Sequence, residues 1–464
     1  MPAVSPALPG TFDVVVIGAG VIGCAIARRF ALEGARVAVI EKADDILDGA
    51  SKANSAILHT GFDAPVGSLE QVCVAAGYAE YEEIHAKLNL PLIRCGALVI
   101  AWTEAEAALL PELIAQAEAN GVADVEPLTE AETRRLEPGL GAGLQAAFRV
   151  PREYLVDPWS APLAYLAQAI ANGAELLRGA EVTGGQLDGD WTLQTTRGPV
   201  TGRIVVNAAG LYGDVLDERL LGKKDFAIRP RKGQFIVYDK PAASLASHIL
   251  LPVPNKVTKG IVVCRTAFGN LLVGPTAEEQ DDRETAALVP ETLEALRRRG
   301  EEILPGLKAE EVTALYAGLR PATETKDYRI TAHSAQRMIT VGGIRSTGLS
   351  SALGTARHVL RLAEAMGHAT QPPVDPVWPE VPAISAFARR DWQQPGNGGI
   401  VCHCESVTRR EILAALDGPL KAQTLAGLKR RTRVTMGRCQ GFYCSAELAR
   451  LTEGRLAQPM LGHD

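Results

Sequence analysis

The glycine cluster near the start of the chain constrains its fold more than any other feature. Thr11-Phe-Asp-Val-Val-Val-Ile17 is a short β-branched run, and Gly18-Ala-Gly20-Val-Ile-Gly23 follows it. Cys24 to Glu33 then repeats apolar residues at the helical period before Gly34 stops it. Arg36-Val-Ala-Val-Ile40 is a second apolar run, ending in Glu41, twenty-one residues beyond Gly20. Strand, glycine turn, helix, strand and acid in this order predict a dinucleotide-binding unit. Gly18 allows the tight turn, Gly20 lets the backbone approach a pyrophosphate, and Gly23 lets the helix pack closely on the strand. The helix N-terminus offers unpaired N–H donors to the anion, and Glu41 is placed to accept from a ribose hydroxyl. A tight turn without a ligand is the competing explanation; the presence of both strands, the helix and the acid favours the nucleotide.

One such fingerprint is present, so the second Rossmann unit expected of a chain binding both FAD and NAD is missing. The late segment Gly342-Gly343-Ile-Arg345-Ser-Thr347-Gly348-Leu349 opens a helix. Its N-terminus suits the pyrimidine edge of a flavin, where reduction builds negative charge, whereas a nicotinamide needs no such partner. These observations favour FAD.

At 464 residues the chain suits about three units of roughly 150 residues each. Its 47% hydrophobic and 22% charged content excludes disorder, and a net charge of −6 argues against non-specific nucleic-acid binding. The first ten residues lack the basic and apolar regions of a secretory signal, and residues 1–11 are expected to form a disordered tail. No apolar stretch is long enough to span a membrane. A cytoplasmic protein is expected, with peripheral attachment to the inner membrane face left open.

The fold class expected is α/β plus α+β. A Rossmann-type FAD-binding domain is assembled from residues 12–84, 150–222 and 326–368. A substrate domain inserted at 85–149 and 223–325 is read as an antiparallel sheet from the runs Gln234–Tyr238, Gly260–Cys264 and Asn270–Gly274. Five prolines between Gln371 and Pro382 mark a stiff linker over 369–398, and residues 399–464 form a small helical module.

That module holds four of the eight cysteines. Cys24, Cys73, Cys95 and Cys264 are scattered among apolar neighbours and read as inert thiols. Cys402-His403-Cys404 and Cys439-Gln-Gly-Phe-Tyr-Cys444 form C-x-C and C-x4-C pairs with 34 residues between them. Four thiolates in two close pairs match the ligand count of a [2Fe–2S] cluster. Structural zinc, which commonly uses C-x2–4-C spacings, and a redox dithiol or free cysteines are the alternatives. Thr408 and Glu411 form a capping box, Thr424 caps a second helix, and Lys429, Arg430, Arg431, Arg433 and Arg438 supply a basic setting that suits an anionic cluster. His403 reads as an exposed bystander.

Lys52-Ala-Asn54-Ser55-Ala-Ile-Leu-His59-Thr-Gly-Phe-Asp63, Val205-Val-Asn-Ala-Ala209-Gly210, Pro230-Arg-Lys-Gly-Gln234, Gly274-Pro-Thr-Ala277 and Ala317-Gly-Leu-Arg320 resemble the D-amino-acid-oxidase superfamily. Within it they are similar to the bacterial FAD-dependent glycerol-3-phosphate and 2-hydroxyglutarate dehydrogenase branch. The tail module resembles the bacterioferritin-associated-ferredoxin type of [2Fe–2S] domain, with Cys402, Cys404, Cys439 and Cys444 matching its ligands. The resemblance implies oxidation of a CH–OH or CH–NH bond by hydride transfer to FAD. It places Lys52, Asn54 and Ser55 along the flavin, Ala209 and Gly210 among the cofactor contacts, and Arg320 and Gly342–Leu349 near the substrate. The chain departs from those relatives at His403, often arginine there, and at Arg345-Ser-Thr347, often Gln-Ser-Pro.

His59 is a candidate base or flavin contact, with a hydrogen bond to a backbone carbonyl as its ordinary alternative. Arg320 is a candidate clamp for a carboxylate or phosphate, with Lys259 and Arg345 as secondary cations; a solvated surface charge is the alternative for each. The residues favour a dehydrogenase over an oxidase, since electrons leaving singly through a cluster make oxygen unnecessary. Its partners would be a small anionic substrate and an electron-accepting protein or quinone, within a hetero-oligomer. An amino-acid or amine dehydrogenase, and an electron-transfer component that binds no small substrate, are the rival readings.

Overall fold

The computed structural model describes residues 8–254 and 260–460. The β-branched run Thr11–Ile17 is the middle of an eight-stranded sheet, paired in parallel with Val37–Ile40 on one side and Val200–Asn207 on the other. Glu175–Leu177 lies in parallel beyond Val37–Ile40, and Met338–Gly342 beyond Val200–Asn207. Such strands are apolar along their whole length because both faces are covered. Val14, Val15 and Val16 are fully buried. The expected tail is shorter than residues 1–11, since the strand begins at Thr11 and the Pro9 carbonyl accepts from Arg36 Nη2 at 2.6 Å. The rest of that expectation, residues 1–7, lies outside the described residues.

Helix Val21–Leu32 packs between Ser160–Ala171 and Gly348–Ala365 on one face of this sheet. Leu69–Ile84 crosses Gly348–Ala365 at two glycines: a Cβ at Gly77 would lie 2.1 Å from the Ser350 oxygen, and one at Gly354 2.0 Å from the Cys73 oxygen. That close crossing fixes where the second helix begins. Strand order reverses direction between Thr11–Ile17 and Val200–Asn207, so a crevice opens outside their carboxyl ends, where ligands of such sheets bind.

The second sheet has nine strands, with Arg229–Tyr238 and Val312–Ala322 as its longest pair and an apolar layer on each face. It is mixed, not purely antiparallel as expected, because Ile249–Pro252 runs parallel to Ala97–Ala101. Those two strands lie far apart in the chain, with Glu175–Leu177 and Val200–Asn207 of the first sheet between them, so no hairpin forces them to oppose each other.

The proline-rich segment is extended, as fixed φ angles dictate, but it lies on the large lobe and not in solvent. The Gln371 N–H donates to Glu33 O at 2.8 Å, Gln168 Nε2 and Asn172 Nδ2 each to Val377 O at 3.0 Å, and Val381 N–H to Leu88 O at 3.2 Å. Val381 and Ile384 are buried. The stiff linker expected from composition is thus a strap.

Beyond it, a two-stranded hairpin, Ile400–Cys402 with Val407–Thr408, and helices Arg409–Ala415, Leu425–Thr432 and Ser445–Thr452 share a small core. The capping box at Thr408 and Glu411 is formed, and Thr424 caps its helix. The module sits on the large lobe at Asp45, which is 1% exposed. Asp45 accepts from Arg431 Nη2 at 2.7 Å and from the Gln423 N–H at 3.0 Å, and lies 3.7 Å from Arg178 Nη1. Breaking such a buried pair costs about 3–5 kcal/mol, because the cations left behind stay buried. Asp45→Asn is therefore expected to release the module, exposing residues 369–398 to limited proteolysis at a dose the parent protein withstands; an unchanged digestion pattern would count against Asp45 as the anchor.

Candidate functional site

The crevice is a cavity of about 580 Å³ running from Glu41 and Lys42 at one end to Arg320 and Arg345 at the other. The glycine turn shapes its floor. Gly18 has φ +108°, and a Cβ there would lie 2.5 Å from the Ala208 oxygen; one at Gly23 would lie 1.8 Å from the Gly18 oxygen. Gly23→Ala must push the helix off the turn, and overpacking of this kind costs about 1–3 kcal/mol. The expected result is protein that purifies with much less flavin per chain, read from its visible absorbance against protein concentration.

Glu41 does more than border the cavity. Its Oε2 accepts from the Ala19 N–H at 2.7 Å and its Oε1 from the Ala43 N–H at 2.9 Å, tying the glycine turn to the second strand. Burial raises its carboxyl above the ordinary range. Ser51, which no sequence motif marks, accepts from the Val21 N–H at 2.9 Å and so takes one donor of the helix N-terminus. Lys42 Nζ stands 3.6 Å from the centroid of the Tyr212 ring at the same end. Lys52, Asn54, Ser55, Ala209, Gly210, Gly343, Gly348 and Leu349 all line the wall, as do Gly18, Gly20 and Glu41. Asn54 Oδ1 accepts from the Ala56 N–H at 2.8 Å, holding the wall's exit at φ +61°. Thr347 is different. It is 3% exposed and faces away from the cavity; its Oγ1 donates to Glu70 Oε1 and meets the Tyr328 hydroxyl, both at 2.7 Å. It braces the loop from behind because its small polar side chain finds those buried partners.

At the far end, Arg320 Nη2 donates to Thr276 O at 2.6 Å and Lys232 O at 3.1 Å, while Nε donates to Arg231 O at 3.3 Å. Three carbonyls thus aim the guanidinium. Among the described residues no carboxylate pairs with Arg320 or Arg345. Burial, then the charges of Arg231 and Arg345, push Arg320 down to about 10. A cation held in this way is a seat for an anion. Arg231, ion-paired to Glu279, is a further cation at this end, contained in the Pro230–Gln234 motif but given no role by it. Lys259 lies outside the described residues.

His59 is not in the cavity wall. Its partner is a carboxylate and not the backbone carbonyl offered as the ordinary alternative: Nδ1 lies 2.7 Å from Glu153 Oε2. Glu153 is fully buried, and its Oε1 accepts from the Thr60 N–H at 2.6 Å and the Thr60 hydroxyl at 2.8 Å. No local pattern around Glu153 announces this role.

In the module the thiols interact in two pairs, Cys402 with Cys444 and Cys404 with Cys439, although among the described residues no three of them close into a ready-made metal cage. Backbone N–H groups of Tyr443, Gly441 and Phe442 point at the Cys439 sulfur and hold its thiol below the ordinary range. Burial, then the neighbouring Cys402, push Cys444 up to about 12. Crowded thiols ringed by amide donors fit a cationic centre with anionic sulfur ligands. His403 is exposed. The other cysteines are inert for a different reason: burial raises Cys73 and Cys95 to about 11, and Cys24 and Cys264 further.

Residues 13–362 match the family described as FAD dependent oxidoreductase. The chain belongs to it. Residues 400–453, which contain all four module cysteines, match the BFD-like [2Fe-2S] binding domain. This oxidoreductase is 32% identical over 458 residues to a glycerol 3-phosphate dehydrogenase of Caloramator mitchellensis, covering 97% of this chain and 95% of that one. It is 26% identical to one subunit of the anaerobic glycerol-3-phosphate dehydrogenase of Escherichia coli K12, covering 95% and 88%. Its fold matches the L-alpha-glycerophosphate oxidase of Mycoplasma pneumoniae with FAD bound at a TM-score of 0.76 and 27% identity, over 81% of this chain and all of that one. The oxidoreductase therefore uses FAD and carries a [2Fe–2S] domain over residues 400–453. Among the described residues no helix is long and apolar enough to cross a membrane.

Proposed function

We propose that this oxidoreductase oxidises the hydroxyl-bearing carbon of a small anionic alcohol, glycerol 3-phosphate first and a 2-hydroxy acid second, and delivers the electrons to a separate protein or quinone. The observation that carries the reading is Arg320, an oriented guanidinium in the cavity wall with no carboxylate partner among the described residues. FAD supplies the hydride acceptor and the [2Fe–2S] cluster a one-electron outlet. Arg320 and Arg345 hold the substrate's anionic group. His59, held by Glu153 at 2.7 Å, lies behind the cavity wall, so water in the cavity takes the hydroxyl proton. Cys402, Cys404, Cys439 and Cys444 hold the cluster. The names of the relatives above support the alcohol over an amine, and the relative that is one subunit of a larger enzyme supports a hetero-oligomer.

Anaerobic flavin bleaching by a panel of glycerol 3-phosphate, 2-hydroxyglutarate, glycerol and glycine tests this. Bleaching by the anionic alcohols at concentrations where glycerol and glycine do nothing is the expected result. Bleaching by glycine alone would replace the reading with an amine dehydrogenase, and bleaching by none would leave an electron-transfer component.

A further inference from the structure

Two stacked aromatic rings of the large lobe link a residue of the cavity wall to Arg433 of the module. Trp159 Nε1 donates to the carbonyl of Lys52, a wall residue, at 3.2 Å. The Trp159 and Phe268 rings stack with centroids 5.4 Å apart and planes 14° from parallel. The Arg433 guanidinium lies 3.9 Å from the Phe268 centroid. Arg433 Nε donates to Glu405 Oε2 at 2.8 Å, and Glu405 follows Cys404 in the chain. Phe268 is 5% exposed and Arg433 5%, so no solvent gap interrupts the column at those two residues.

Phe268 and Trp159 also pack with Ala267, Ile384 and Ile93 in a small apolar cluster, but that packing does not account for the guanidinium of the module set against the ring. Phe268 stands in a tight loop whose Thr266 hydroxyl accepts from the Phe268 and Asn270 N–H groups, both at 3.2 Å. The strap pins the same loop from outside, since the Ala386 N–H and the Ser385 hydroxyl both donate to Ala267 O at 2.9 Å. Module and strap thus converge on one ring that belongs to the substrate sheet. Asp157, fully buried, accepts from the Trp159 N–H at 2.9 Å and fixes the start of the column.

We infer that Trp159 and Phe268, capped by Arg433, form the route by which electrons pass from the flavin crevice to the cluster. The inference rests on the reading above that electrons leave through the cluster. The rings are not oxidised or reduced in turn, because their own potentials lie far outside the range of flavins and iron–sulfur clusters; they fill the gap with contiguous π-density and bonded contacts through which an electron tunnels. Each transfer takes one electron from reduced flavin and converts one ferric ion of the cluster to ferrous. The alcohol gives up two electrons and two protons, so the cluster is used twice per substrate, each time reoxidised by a one-electron acceptor, and the protons go to solvent.

Electrons can be placed on the flavin without substrate, by flash photoreduction of the anaerobic holoprotein, and followed by absorbance and by the paramagnetic signal of the reduced cluster. Parent protein is expected to show a fast phase in which the flavin reoxidises as the cluster signal grows. Phe268→Leu, and independently Trp159→Leu, are expected to lose that fast phase while flavin per chain, iron per chain and the dithionite-reduced cluster signal stay at parental values. Phe268→Tyr, which keeps the ring, is expected to retain it. A fast phase unchanged in Phe268→Leu, or lost equally in Phe268→Tyr, would overturn the route while leaving the function intact. Parent protein whose cluster never takes the flavin's electrons would instead overturn the outlet itself.

Discussion

Cys444→Ser protein is expected to keep its flavin and lose its cluster. Cys444 is 1% exposed and faces Cys402 in the interior of the module. A serine oxygen is shorter and harder than a thiolate sulfur, and iron–sulfur clusters are held by thiolates. The large lobe has cores of its own and does not depend on the module for its crevice. Iron analysis should therefore fall to background and the dithionite-reduced paramagnetic signal vanish, with flavin per chain unchanged and single-turnover bleaching by substrate preserved. His403→Ala is the matched control, since His403 is exposed between two ligands and its loss should leave iron content alone. Full iron in Cys444→Ser would remove this cysteine from the ligand set.

Arg320→Met should be the most damaging single change to substrate turnover. Removing one partner of a desolvated, hydrogen-bonded charge pair costs about 2–5 kcal/mol, which corresponds to a fall in kcat/KM of roughly thirty-fold to several-thousand-fold. The loss should fall on glycerol 3-phosphate and not on uncharged glycerol, whose weak turnover has no anion to seat. Arg320→Lys should recover part of it, because a lysine brings the charge without the planar fork that the carbonyls of Thr276 and Lys232 aim. Flavin content should not move in either variant. Equal losses for the charged and uncharged alcohols would mean that Arg320 organises the cavity and does not bind the anion.

The parts of the molecule legible in the sequence are those governed by local rules. The glycine turn, its flanking strands and the capping box at Thr408 each follow from backbone sterics or from hydrogen bonds a few residues apart. The cysteine spacing is likewise local within each pair. What the sequence hides is contact between distant segments. Glu153 beside His59, Arg231 beside Arg320 and Ser51 beside Val21 are pairings that only the folded sheets create. Thr347 shows the opposite failure: it occupies the expected loop, yet buried Glu70 and Tyr328 draw its side chain away from the cavity. The strap's extended backbone follows from its prolines, but composition cannot reveal the surface it lies on.

The anchoring of the module at Asp45 has a kinetic consequence. A group tethered by a floppy chain must find its seat by diffusion, so its hand-over would slow in viscous solvent. Here the tether is itself laid down on the protein, and the clasp is shielded from dissolved ions. The internal leg of the electron's journey should accordingly be indifferent to glycerol, added salt and dilution. Any sensitivity to those variables will belong to the later collision, in which an outside molecule collects what the tail domain holds.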